Sequence, residues 1–167
     1  MNIDKLFNDK EYLNKEIEFF ISKKQLRKIE SNKELVQSHL KKARHNLEFF
    51  KLNKSNIDFN DWLIVTLYYS LYHMALALII NKNYTSKNHY ATILILIKEY
   101  SITKEEIDLI NELSINKKDA QLYTDLKEDR HKASYTTNSI FSEEIINNYE
   151  SRILDFINKT EDIIQNE

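Results

Sequence analysis

The chain has no glycine, no proline and no cysteine among its 167 residues. Without cysteine there is no disulfide framework, no thiolate zinc site and no cysteine nucleophile. This fits a reducing compartment, and a cytoplasmic location is the expectation. Without glycine, nucleotide-binding loops of the Walker, Rossmann and kinase types are excluded, because their backbones depend on it. Tight two-residue hairpins also become hard to build. Helices joined by connectors containing Asn, Lys and Ser tolerate both absences, since Asn visits the left-handed region readily. Net charge is scarce too. A formal charge of -2 and a pI near 6.2 give no global attraction to nucleic acid or anionic lipid, so any such affinity needs a local patch. The opening residues, MNIDKLFNDKEYL, are polar from the second onward and carry no secretory apolar core.

What is present is an ordinary globular balance, 42% apolar and 30% charged, in a length that suits one domain with its own core. Apolar residues recur at helical spacing through most of it. Ile3, Leu6, Leu13, Ile17, Phe20 and Ile21 mark a helical stretch from Asn2 to about Lys28, with a stutter at Asn8-Asp9 where a second helix could start. Ser31 and Glu34 have capping-box spacing and open a helix that runs to about Asn53. A central helix covers Asn60 to Ile80. Ser86 is the expected N-cap of the next helix, over 87–100. Thr103 and Glu106 form another capping box, and Ser142 caps a last helix containing Ile145, Ile146, Tyr149, Ile153 and Phe156. No period-2 pattern of convincing length interrupts this. The expectation is an all-α fold without a sheet.

Trp62 to Ile80 is uncharged over 19 residues, about 28 Å as a helix and close to the hydrocarbon thickness of a bilayer. Three tyrosines, His73, Thr66 and Ser70 lie inside the run. A helix enclosed by others is apolar on every side as well, so a buried core helix and no membrane association are expected.

Three groups of residues could carry chemistry. Residues 22–45 hold eight Lys/Arg against two Glu, among them Lys41, Lys42 and Arg44; this is either a phosphate-binding face or a solvated surface offset by neighbouring acids. Thr66, Ser70, His73 and Ala77 share one face of the central helix, a narrow small and polar stripe that would line a cleft or admit another helix closely. Arg130 and His131 stand near a helix end, where Arg could take a phosphate in bidentate fashion. Neighbouring helical residues diverge by about 100°, so the two do not readily face one target. No pair of histidines has metal-ligand spacing, and no metal or cofactor is expected.

The order of Tyr68-Tyr69-Ser70-Leu71-Tyr72-His73, Ser86-Lys87-Asn88-His89 and Arg130-His131-Lys132-Ala133-Ser134-Tyr135 resembles the HEPN family of prokaryotic helical domains. His39-Leu40-Lys41-Lys42-Ala43-Arg44-His45 resembles that family's first helix. The resemblance spans about residues 34–165. It implies an up-down bundle of four or five helices over 31–167, with residues 1–30 as an N-terminal helical extension. It also implies a homodimer, with a nucleotidyltransferase or an antitoxin as further partner and RNA or a nucleotide as ligand. The family's nuclease motif is an Arg followed four to six residues later by His, which activates a ribose 2′-hydroxyl while Arg meets the phosphate. No Arg in this chain has a His at that distance, and Ser134 replaces the usual Asp before Tyr135. By position the resemblance carries over Arg130, Tyr135, His73 and His89, with Tyr69 and Ser70 beside them. The expected function is a HEPN-like module of a defence or toxin–antitoxin system that binds a partner protein, nucleotide or RNA. The alternatives are a metal-independent endoribonuclease with a rearranged site of Arg130 with His131 or His73, and a structural helical subunit of a larger complex.

Overall fold

The computed structural model describes residues 3–55, 60–100, 102–114 and 142–166. Among them the helices are α1 (Ile3–Asn8), α2 (Lys10–Ser22), α3 (Lys33–Asn53), α4 (Asn60–Asn81), α5 (His89–Glu99), α6 (helical residues 104–114) and α7 (Glu143–Asn166). The fold is an all-α bundle. One correction concerns the expected absence of any sheet: β1 (Leu26–Lys28) and β2 (Tyr84–Ser86) pair antiparallel, with Leu26 opposite Ser86 and Lys28 opposite Tyr84. Three residues per strand are too few to show a period, so the helical spacing reads on to Lys28.

Caps set most boundaries. The stutter at Asn8-Asp9 is a real break, where the Asp9 carboxylate accepts from the Tyr12 amide and starts α2. Asn32, rather than Ser31, caps α3 by accepting from Leu35 N–H at 2.8 Å. Asn88, rather than Ser86, caps α5, since Ser86 already belongs to β2. The box at Thr103 and Glu106 closes in both directions, at 2.7 and 3.2 Å. Ser142 Oγ accepts from Ile145 N–H at the start of α7.

α4 lies at the centre. Its run Trp62–Asn81 is long and apolar enough to cross a membrane, yet 67% of that stretch is buried against the rest of the chain. α3 makes the most extensive contact with it and α7 the next, through Ile146, Tyr149, Ile153, Phe156 and Ile157. α5 buries every residue from Ala91 to Leu96. The first thirty residues join the same core: Leu6, Leu13, Ile17 and Phe20 are buried in it, α1 and α2 contact α5, and Leu26 is fully enclosed. Ion pairs rim the bundle, Arg44–Glu161 and Lys54–Glu150 between α3 and α7, Lys159–Glu106 and Arg152–Glu112 between α7 and α6.

A glycine-free chain must place other residues where the backbone turns left-handed. Lys24 (φ 57°) and Asn83 (φ 63°) fill these positions, each just before a strand of the ribbon. At the first, Lys24 N–H donates to Ile21 C=O and Gln25 N–H to Phe20 C=O, the Schellman pattern that elsewhere favours glycine. A residue with a Cβ pays about 1–2 kcal/mol there, and Asn less. Lys24→Gly should therefore raise stability by about 0.5–1 kcal/mol after the entropy of the more flexible unfolded chain is subtracted. Asn83→Gly should change it less. Urea unfolding of both variants checks this; a Lys24→Gly protein no more stable than wild type would refute it.

Candidate functional site

The stripe on α4 serves close helix approach. Ser70 is fully buried and its Oγ–H donates to the Ala43 carbonyl of α3 at 2.8 Å. That carbonyl sits inside a helix and keeps a lone pair for the extra bond. Ala43 and Ala77 are themselves fully buried, so small side chains let the two backbones approach. The candidate binding residue Ser70 is thus the fastener between α3 and α4.

One turn along this seam His73 meets His39. Their Nδ1 atoms are 2.8 Å apart and their rings 5.1 Å apart between centroids. Such a contact needs one ring to donate and the other to accept, so the two histidines hold opposite tautomers at Nδ1. Both are half-buried. Burial holds each below the ordinary imidazole pKa; for His73, with the positive charges of His39 and Lys42 added, it falls to about 4. Tyr69 stands beside His73 at 6.5 Å between centroids, with 37% of its surface open to solvent.

Of the other described candidates, His89, Lys41 and Arg44 lie apart from this seam. His89 packs against Tyr68 and Tyr72, at 6.1 and 5.7 Å, on a different face of α4 from His73. Tyr68 and Tyr72 stack at 5.6 Å, and burial pushes the Tyr68 hydroxyl up to about 12. Lys41, Lys42 and Arg44 also diverge. Lys42 acts on His73, whereas Arg44 binds Glu161 at 2.6 Å. Lys41 and Arg44 line a groove of about 460 Å³ between α3 and α7, together with His45, Glu48, Glu161 and Ile164. Two carboxylates, Glu48 and Glu161, face its cations there. Arg130, His131 and Tyr135 lie outside the described residues. No group of three or more metal-ligating side chains occurs among the described residues.

Comparison with protein-family models, with curated proteins and with solved structures finds no match for this chain.

Two outcomes follow from the seam. Ser70→Ala should cost about 1 kcal/mol for the lost hydrogen bond, and Ser70→Leu more, because added methylenes force α3 off α4. Thermal unfolding would show that order, and equal stability of Ser70→Leu and wild type would contradict it. The histidine pair gives stability a pH dependence. Its folded pKa values lie below the unfolded value near 6.5, so the unfolded chain binds more protons as pH falls from 6.5 toward 4. The pair's contribution is full above 6.5 and lost through that window. It amounts to on the order of 1 kcal/mol, since half-exposed rings feel less than the full cost. Unfolding midpoints of wild type and His39→Leu/His73→Leu between pH 4 and 8 should differ in slope only below 6.5.

Proposed function

We propose that the chain is a HEPN-like helical module of a prokaryotic defence or toxin–antitoxin system that binds a nucleotide, RNA or partner protein and does not cleave RNA. The His39–His73 contact supports the non-cleaving part of this reading. A general base for a ribose hydroxyl works best with a pKa near the operating pH, and a ring at about 4 is too weak a base to take that proton efficiently. The Arg-then-His spacing of the nuclease motif is missing as well. A cytoplasmic location and assembly as a homodimer, with a nucleotidyltransferase or antitoxin as further partner, belong to the same proposal.

One observation favours a protein partner. Phe49 and Trp62 are each about half exposed, at 50% and 49%, with Leu52 at 76%. Aromatic side chains left open in this way are enriched at protein interfaces.

The test incubates purified wild type, Arg130→Ala and His73→Ala with total RNA, with and without EDTA. Intact RNA in every tube is the expected result. Metal-independent cleavage by the wild type, abolished by both substitutions in folded protein, would replace the binding module with an endoribonuclease.

A further inference from the structure

Half of the twelve residues at 23–28 and 82–87 are cations, namely Lys23, Lys24, Arg27, Lys28, Lys82 and Lys87, and none is acidic. In the whole chain Lys and Arg make up about one residue in seven, and acids outnumber them. The two stretches are more than fifty residues apart, and the pairing of β1 with β2 lays them side by side. That density marks the ribbon. The acids nearest along the chain, Glu18 and Glu30, flank the first stretch and still leave a local excess of four positive charges.

The register decides which way the charges point. Leu26 and Tyr84 are buried, so Arg27 and Thr85, which alternate with them, face outward. The ladder runs on past β2, where Lys87 N–H donates to Gln25 C=O at 2.9 Å and stays on the outer side with Arg27. Lys23 and Lys24 stand in the turn before β1. Lys28 and Lys82 stand at the far end, their ammonium groups 6.0 Å from the Tyr84 ring centroid and 5.3 Å from that of Tyr100. All of these cations except the partly covered Lys82 are exposed. Lys24 also holds a left-handed backbone, as Asn83 does before the other strand. Fold stability alone favours asparagine at both positions, so the charge at Lys24 is kept at a cost.

An open aromatic ring adjoins the patch. Phe19, near the end of α2, is 52% exposed, with the Lys23 ammonium 5.6 Å from its centroid. We propose that the ribbon is the docking surface for a single-stranded nucleic acid, its cations meeting successive phosphates while Phe19 stacks on a base. Clustered cations supply most of the affinity for such a backbone, and aromatic stacking accepts any base. Arg27 brings a planar fork that meets two phosphate oxygens at once. This rests on the binding-module reading, for which it names RNA as the ligand and the ribbon as the place.

The experiment measures fluorescence anisotropy of a short labelled single-stranded RNA, and of DNA of the same sequence, between 50 and 200 mM salt. With about four phosphates held, affinity for the RNA should fall roughly fiftyfold across that range, a log–log slope of about −3. Lys24→Asn/Arg27→Gln/Lys28→Gln/Lys87→Gln should weaken binding at least tenfold and flatten the slope. Lys24→Asn alone should weaken it about fivefold in a protein at least as stable as wild type, which separates lost binding from lost folding. A charge-matched control, Lys15→Gln/Lys54→Gln/Lys104→Gln/Lys159→Gln, should stay within about twofold of wild type. Phe19→Ala should weaken RNA binding about fivefold and leave binding of heparin, a polyanion without bases, unchanged. A control that weakens binding as much as the ribbon variant refutes the docking surface, as does a ribbon variant that binds like wild type. The binding-module reading then stands through another site or a protein partner. Binding to phosphatidylserine vesicles with none to RNA or DNA overturns the proposal in favour of a membrane surface, and DNA bound tenfold tighter than RNA overturns RNA as the ligand. RNA cleavage by the wild type removes the non-cleaving reading, while lost binding in the ribbon variant would still uphold the docking surface.

Discussion

The close contact of α3 with α4 is the constraint from which the rest of the molecule follows. Ser70 donates to the Ala43 carbonyl where both side chains are small, and that single fastening sets how near the two backbones come. It also sets their register. His73 reaches His39 because the contact one turn away is already fixed. The remaining faces of α4 are then covered by α5, α7 and the ribbon.

Much of this was legible from residues alone. The all-α character, the buried central helix, the caps at Thr103 and Ser142 and the close-approach option for Ser70 all rest on local patterns that survive packing. Three kinds of feature were not. β1 and β2 are too short for a period to show, and they exist because two left-handed turns bring Leu26 and Ser86 together. Ser31 and Asn32 are both good caps, and only backbone geometry chooses Asn32. The partnership of His39 with His73 is a long-range fact, 34 residues apart. A signal for it existed: in an antiparallel hairpin, residues at nearly equal distance from the connecting loop meet, and these two do.

For the candidate site, sequence reasoning identified His73 and grouped it with Ser70, which shares its seam, with His89, which does not, and with Arg130 and Tyr135, which lie outside the described residues. Periodicity tells which face a residue occupies, not which neighbour that face meets. Thus Lys41, Lys42 and Arg44, adjacent in the chain, point to different neighbours, and Arg44 is neutralised by a carboxylate more than a hundred residues away. His89, grouped with His73 by resemblance, belongs instead with Tyr68 and Tyr72.

Pairing Leu26 with Ser86 closes a loop of about 60 residues around the whole α3–α4 hairpin. Contacts within that hairpin are local by comparison, and local contacts form before distant ones because less chain entropy is lost in making them. The hairpin is expected to assemble first and the ribbon to clasp it afterwards. By the same order, opening is expected to start at the clasp: once β1 and the contacts of α1 and α2 with α5 let go, α5 is uncovered while Ser70 still holds α3 to α4. The N-terminal thirty residues are thereby expected to act as a cover whose detachment precedes global unfolding.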